Sequence, residues 1–150
     1  MTKKPGFSLV ELAIYITIVG ILAVFVLPNL ISWIGRASYR KAESEMLTFA
    51  QELTMYSSDI GHYPRKLEDL IRKPTDDSEA AKSWRYAYLK EGSYALNEEG
   101  KIADPWQQPY RYHVNTKGAK HPYELSSEGD PKASEPSPIN VWEIKAKSAL

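Results

Sequence analysis

Cysteine is absent from this chain of 150 residues, which excludes disulfides and thiolate metal sites and leaves packing or a metal as the only means of stapling the fold. An excess of either charge is missing too. The 19 Lys and Arg balance the 19 Asp and Glu, so the average charge offers nucleic acid no broad electrostatic footprint, and no nucleic-acid partner is expected. His62, His113 and His121 have no spacing that suggests a zinc site, and no serine nucleophile sits in a recognisable motif, so catalysis is not expected either. Charge is scarcest over residues 7–34, where Glu11 is the only formally charged side chain. With its first quarter so apolar, the chain has a smaller soluble part than its length suggests, and a thin core.

That apolar stretch organises the rest. Residues 1–6 are basic through Lys3 and Lys4. Residues 12–30 can cross hydrocarbon, since a span needs roughly 20 residues at about 1.5 Å each. The flanking lysines favour a cytoplasmic N-terminus, so the remainder should face away from the cytoplasm. A secretory signal would have a shorter apolar core followed by small residues at its cleavage site. Here the run continues through Pro28 and Trp33, and the small residue, Gly6, precedes it. Beyond the span, Ala42, Met46, Phe49, Ala50, Leu53 and Tyr56 recur at three- and four-residue steps, with Arg40, Lys41, Glu43, Glu45 and Glu52 on other faces. Neither proline nor glycine interrupts this pattern after Gly35, which predicts one helix of about 50 residues, roughly 75 Å long.

Gly61 and Pro64 end that helix. Leu67, Leu70 and Ile71 suggest a short second helix stopped near Pro74, and Asp76 with Glu79 resembles a capping box before residues 80–84. From Tyr86 onward aromatic and β-branched residues alternate between turn signals. The best strand candidates are residues 110–114, 122–126 and 139–144, read as three antiparallel strands covering the helix. Residues 127–138 form a loop rich in Pro, Ser and charge, and residues 145–150 read as a frayed tail. Trp84, Trp106, Trp142 and the tyrosines are assigned to core and turn packing.

Glu11 needs an explanation, because a carboxylate near the centre of a span costs on the order of 2.5 to 3.5 kcal/mol on insertion scales, and less toward the interface. It could stay hydrated at the interface. Alternatively, cleavage between Gly6 and Phe7 would create an α-amine near the same depth, which a neighbouring subunit could offer to Glu11. The run Gly6-Phe7-Ser8-Leu9-Val10-Glu11-Leu12 resembles the leader motif of type IV pilins and type II secretion pseudopilins. The resemblance implies cleavage after Gly6 by a membrane peptidase, methylation of Phe7, and an assembly role for Glu11, fifth when counted from Phe7. Gly20 and Pro28 fall where the family places helix-weakening residues, and Pro28 removes a backbone donor.

The second half resembles the major pseudopilin, or protein G, family of type II secretion. Tyr56, Asp59, Gly61, His62, Tyr63 and Pro64 are similar to that family's helix exit, and Asp104-Pro105-Trp106-Gln107-Gln108-Pro109-Tyr110 to its aromatic turn, although the family usually has glycine where Gln107 stands. Major type IV pilins commonly close their C-terminal region with a disulfide, which this chain cannot make. The protein G family holds a calcium ion in the loop before its last strand. Hard oxygen ligands suit that ion, and the resemblance offers the Leu125 carbonyl, Ser127, Asp130 and Glu135, with Glu128 in reserve. Where the family has adjacent aspartates, however, this chain has Glu135-Pro136-Ser137-Pro138. The alternative to a calcium site is a solvated loop stiffened by Pro131, Pro136 and Pro138.

The expected protein is thus α+β, a long N-terminal helix packed on a small three-stranded antiparallel sheet. Its parts are a cleaved leader (1–6), a transmembrane assembly helix (7–34) and a periplasmic domain (35–150). The resemblance implies a single-pass subunit of the bacterial inner membrane that polymerises with its own copies and with minor pseudopilins. Its other implied partners are a prepilin peptidase and an inner-membrane platform with a cytoplasmic ATPase. Two alternatives remain at this point: a type IV pilin for adhesion, motility or DNA uptake, and an anchored domain that never polymerises.

Overall fold

The computed structural model describes residues 7–75, 78–133, 135 and 137–149. Gly6 and the rest of the expected leader lie outside the described residues, as does Asp76 of the expected capping pair. The chain divides into two compact units, Met1–Ala37 and Ser38–Leu150.

A single helix, α1, runs Leu9–Ile60. Its first hydrogen bond is donated by Leu12 N to Ser8 O at 3.0 Å, so Ser8 and Glu11 stand at the two ends of a Ser-x-x-Glu helix-start signature. Polar side chains inside it turn back on the helix: the hydroxyls of Thr17, Thr48, Thr54 and Ser58 each donate to the carbonyl four residues earlier. The helix ends where Gly61, at φ +95°, donates its N–H to Ser57 O, a left-handed exit that glycine accepts without a Cβ clash.

In the first unit, Leu9–Val26 is long and apolar enough to cross a membrane, and none of it is buried. In the second unit, Ala42, Met46, Phe49, Ala50, Leu53 and Tyr56 are all fully buried. They form the spine of the core, joined by Leu67, Leu70 and Ile71 around a one-turn 3-10 helix at Leu67–Leu70, and by Ala80 of the short helix α2, Ser78–Ser83.

Strands β1 (Arg111–Val114), β2 (Tyr123–Ser127) and β3 (Ile139–Asn140) form an antiparallel sheet in the order β1-β2-β3. Tyr112 lies opposite Leu125 and Ser127 opposite Ile139. Along β2, Tyr123, Leu125 and Ser127 are buried while Glu124 is exposed, the period-two pattern of a strand with one face on a core. Trp84, Trp106 and Trp142 pack against that core, as their assignment to packing required.

One expected element is corrected. Residues 139–144 are not one strand, and the tail does not fray from Lys145. After two residues of β3 the chain turns into α3, Val141–Ser148. The Asn140 side chain accepts a hydrogen bond from Trp142 N at 2.9 Å and so caps the helix. Val141 and Ile144, both buried, stand three residues apart, a helical spacing. Trp142 Nε1 donates to Tyr123 O at 2.8 Å, fastening the helix to β2.

Candidate functional site

Two places carry the functional expectations, and they lie in different units. In the first, Glu11 occupies the first turn of α1, where the partial positive charge of unpaired backbone N–H groups favours an anion. Phe7 stands just ahead of the helix, and both side chains are exposed. A chain cleaved after Gly6 would therefore carry its new amine beside a helix start that already holds a carboxylate. Gly20 and Pro28 both lie inside α1. Pro28 has no N–H to give the carbonyl four residues before it, so the helix lacks one backbone bond there. A Cβ built at Gly20 meets nothing within 4 Å, so no close contact requires glycine at that position.

The second place is the loop that follows β2. Its organising group is Asp104, fully buried. Asp104 Oδ1 accepts from Trp106 N and Gln108 N, each at 2.9 Å. Asp104 Oδ2 accepts from Ser127 Oγ at 2.6 Å. Three donors on one carboxylate are what a buried charge requires. Ser127 Oγ in turn accepts from Gly129 N at 3.1 Å. Gly129 adopts φ +80°, and a Cβ there would come 2.6 Å from Ser137 O and 3.1 Å from the Tyr39 hydroxyl, so the far limb of the loop closes directly onto this glycine. The Tyr39 hydroxyl accepts from Asp130 N at 3.3 Å, and its ring meets Trp106 edge-on at 4.7 Å.

The expected calcium ligands are only partly brought together. Ser127 is buried and already engaged as both donor and acceptor. Asp130 uses Oδ1 to accept from Lys132 N at 2.8 Å. Glu135 is exposed, and Glu128 pairs with Arg111 at 2.9 Å. Leu125 sits in mid-strand opposite Tyr112. Among the described residues no three His, Asp or Glu side chains cluster as a metal site. A calcium ion takes six to eight oxygen ligands, and its affinity rises with their charge. This donor set does not fit one.

Residues 29–140 match the family described as type II secretion system (T2SS), protein G, and residues 1–27 match the prokaryotic N-terminal methylation motif. The chain belongs to the type II secretion system protein G family. It is similar to the type II secretion system core protein G of Pseudomonas aeruginosa, 32% identical over 147 residues that cover 94% of this chain and 96% of that protein. It is likewise similar to the core protein G of Escherichia coli, 34% identical over 149 residues covering 97% and 95%. Its fold resembles the crystal structure of the major pseudopilin from the type 2 secretion system of enterohaemorrhagic Escherichia coli, with TM-score 0.51, 24% identity and coverage of 79% and 97%. The protein is a structural pseudopilin, membrane-anchored and filament-forming. These matches do not favour the type IV pilin or the non-polymerising domain.

Within this family frame Gln107 becomes intelligible. It adopts φ +67°, the only non-glycine at positive φ among the described residues. The Asp-Pro-Trp turn places a left-handed residue after its tryptophan, a conformation that glycine adopts without a Cβ clash. Asp104 and Tyr39 were not expected as parts of the loop. An aspartate opening a Pro-Trp turn signalled the two N–H bonds to its Oδ1, but nothing local pointed to Ser127, 23 residues on.

Proposed function

We propose that this pseudopilin is made as a precursor, cut after Gly6 and methylated on Phe7 by a prepilin peptidase, and held in the bacterial inner membrane with its second unit in the periplasm. It polymerises with its own copies, and minor pseudopilins join the same filament. An inner-membrane platform with a cytoplasmic ATPase drives assembly, and the growing filament helps move folded proteins through an outer-membrane channel. The observation that carries this reading is the unburied apolar stretch Leu9–Val26 with Glu11 in its first turn, directly after the Gly6-Phe7 junction.

Each part of that helix then has a task. The apolar side chains keep unassembled subunits in the bilayer and pack helix on helix in the filament. Glu11 pairs with the Phe7 amine of a neighbour, so that one ion pair offsets the cost of carrying a carboxylate in hydrocarbon and sets the register of addition. Gly20 and Pro28 lower the cost of unwinding when the helix leaves the membrane.

Intact mass of the membrane-extracted protein, produced with and without a prepilin peptidase, tests the processing step. Loss of residues 1–6 with one added methyl group is expected only with the peptidase, and an uncut chain beside an active peptidase would defeat the proposal. Glu11→Ala tests assembly. Filaments should disappear while the membrane-bound pool persists, and normal filaments from this variant would remove the ion pair from the mechanism.

A further inference from the structure

We propose that the loop between β2 and β3 is closed by the protein's own groups, with the buried Asp104 carboxylate as the anchor, and that this pseudopilin folds independently of calcium. The inference concerns the second unit alone and does not depend on how subunits polymerise.

Holding this loop poses a definite physical problem. It must bring its far limb back to β3, and without cysteine the closure is not covalent. A calcium site solves such a problem by gathering carboxylates around a cation. Here the charges are arranged the other way round. One carboxylate, Asp104, is buried at the centre and gathers donors: Trp106 N and Gln108 N from its own turn, and Ser127 Oγ from the end of β2. The Ser127 hydroxyl passes the connection on by accepting from Gly129 N. At Gly129 the missing side chain lets Ser137 O approach closely. Tyr39 completes the closure from α1, its hydroxyl accepting from Asp130 N and its ring resting on Trp106.

These contacts join α1, the Asp-Pro-Trp turn, β2 and both limbs of the loop. Of the loop's carboxylates, Asp130 accepts from Lys132 N through Oδ1, Glu128 pairs with Arg111, and Glu135 is exposed. Removing the Ser127 hydroxyl therefore removes the donor on Asp104 Oδ2 and the acceptor for Gly129 N together, leaving two buried polar groups unsatisfied. Removing the loop carboxylates touches only exposed bonds.

The test is a thermal melt of the full chain in detergent, followed by tryptophan emission, in excess chelator and then in about 10 mM calcium or magnesium, a level that saturates even weak extracellular calcium modules. We expect the same Tm in all three. A rise in Tm with calcium and not magnesium overturns the proposal. Ser127→Ala should lower Tm by on the order of 5 °C or more, and the double variant Asp130→Ala/Glu135→Ala by less than about 2 °C. Equal losses from the two, or no loss from Ser127→Ala, also overturn it. Should Ser127→Ala not accumulate as folded protein, Asp104→Asn replaces it. A lowered Tm that calcium does not restore supports the closure, and a wild-type melt or rescue by calcium rejects it.

Discussion

The two stretches of α1 carry much the same residues to opposite ends. In Leu9–Val26, Ile14 and Leu22 are more than half exposed, whereas Met46, Phe49 and Leu53 further along are fully buried. Both stretches are helical, so propensity does not separate them. Pattern does. The later stretch confines its apolar residues to one face, which a domain of about a hundred residues can cover. The earlier stretch is apolar all round, and its surface needs lipid or other helices instead.

One substitution made in both stretches tests that contrast most sharply. Leu53→Ala should cost about 2 to 5 kcal/mol of the second unit's stability, read as a lowered denaturant midpoint in detergent, because it opens a cavity in a packed core. Leu22→Ala should leave that midpoint unchanged and weaken retention in the membrane only slightly. Equal effects would mean that Leu22 is covered by the protein's own fold. A smaller effect comes from pH. Burial raises the ionisation of Tyr110, Tyr112 and Tyr123 above the ordinary 10.0, and for Tyr110 the Glu45 carboxylate, accepting from its hydroxyl at 2.7 Å, adds to the shift. A raised folded pKa means that deprotonation opposes the folded state. Their contribution is therefore intact below pH 10 and lost as pH climbs beyond it. Melts should be flat just below pH 10 and fall steeply above it, with no matching loss of membrane retention. The smallest change expected is a gain. Gln107→Gly relieves a left-handed conformation and should stabilise by about 0.5 to 1 kcal/mol, the cost of the strain exceeding the added entropy of the unfolded chain. A loss there would show that the Gln107 side chain contributes more than its backbone strain costs.

Much of the fold was legible. The six core positions of α1 could be named from spacing alone, and β1 and β2 fell within a residue of their expected bounds, because their alternation reports a single buried face. The end of the chain was not legible. Val141-Trp142-Glu143-Ile144 is rich in β-formers, and its apolar residues also suit a helix, so local pattern leaves the choice open. Asn140 at the cap and the Trp142 bond to Tyr123 O decide it, and the second of these reaches across 19 residues. The assembly residues were read from a motif, and the structure adds only their positions, Glu11 in a helical first turn and Phe7 just before it.

By itself the sequence determined that the chain begins with an apolar helix needing an environment outside the protein, that the same helix continues as the spine of a small α+β core, and that the chain belongs with pseudopilins. The first two properties are written in runs and periods, which neighbouring residues set among themselves; the third rests on the resemblance of the Gly6-to-Leu12 motif and on the family match. Tertiary structure alone decided how the loop after β2 is held. Asp104, Ser127, Gly129 and Tyr39 become partners only once strand, turn and helix are docked. A buried carboxylate must find its donors wherever the fold places them, and sequence spacing does not record that distance.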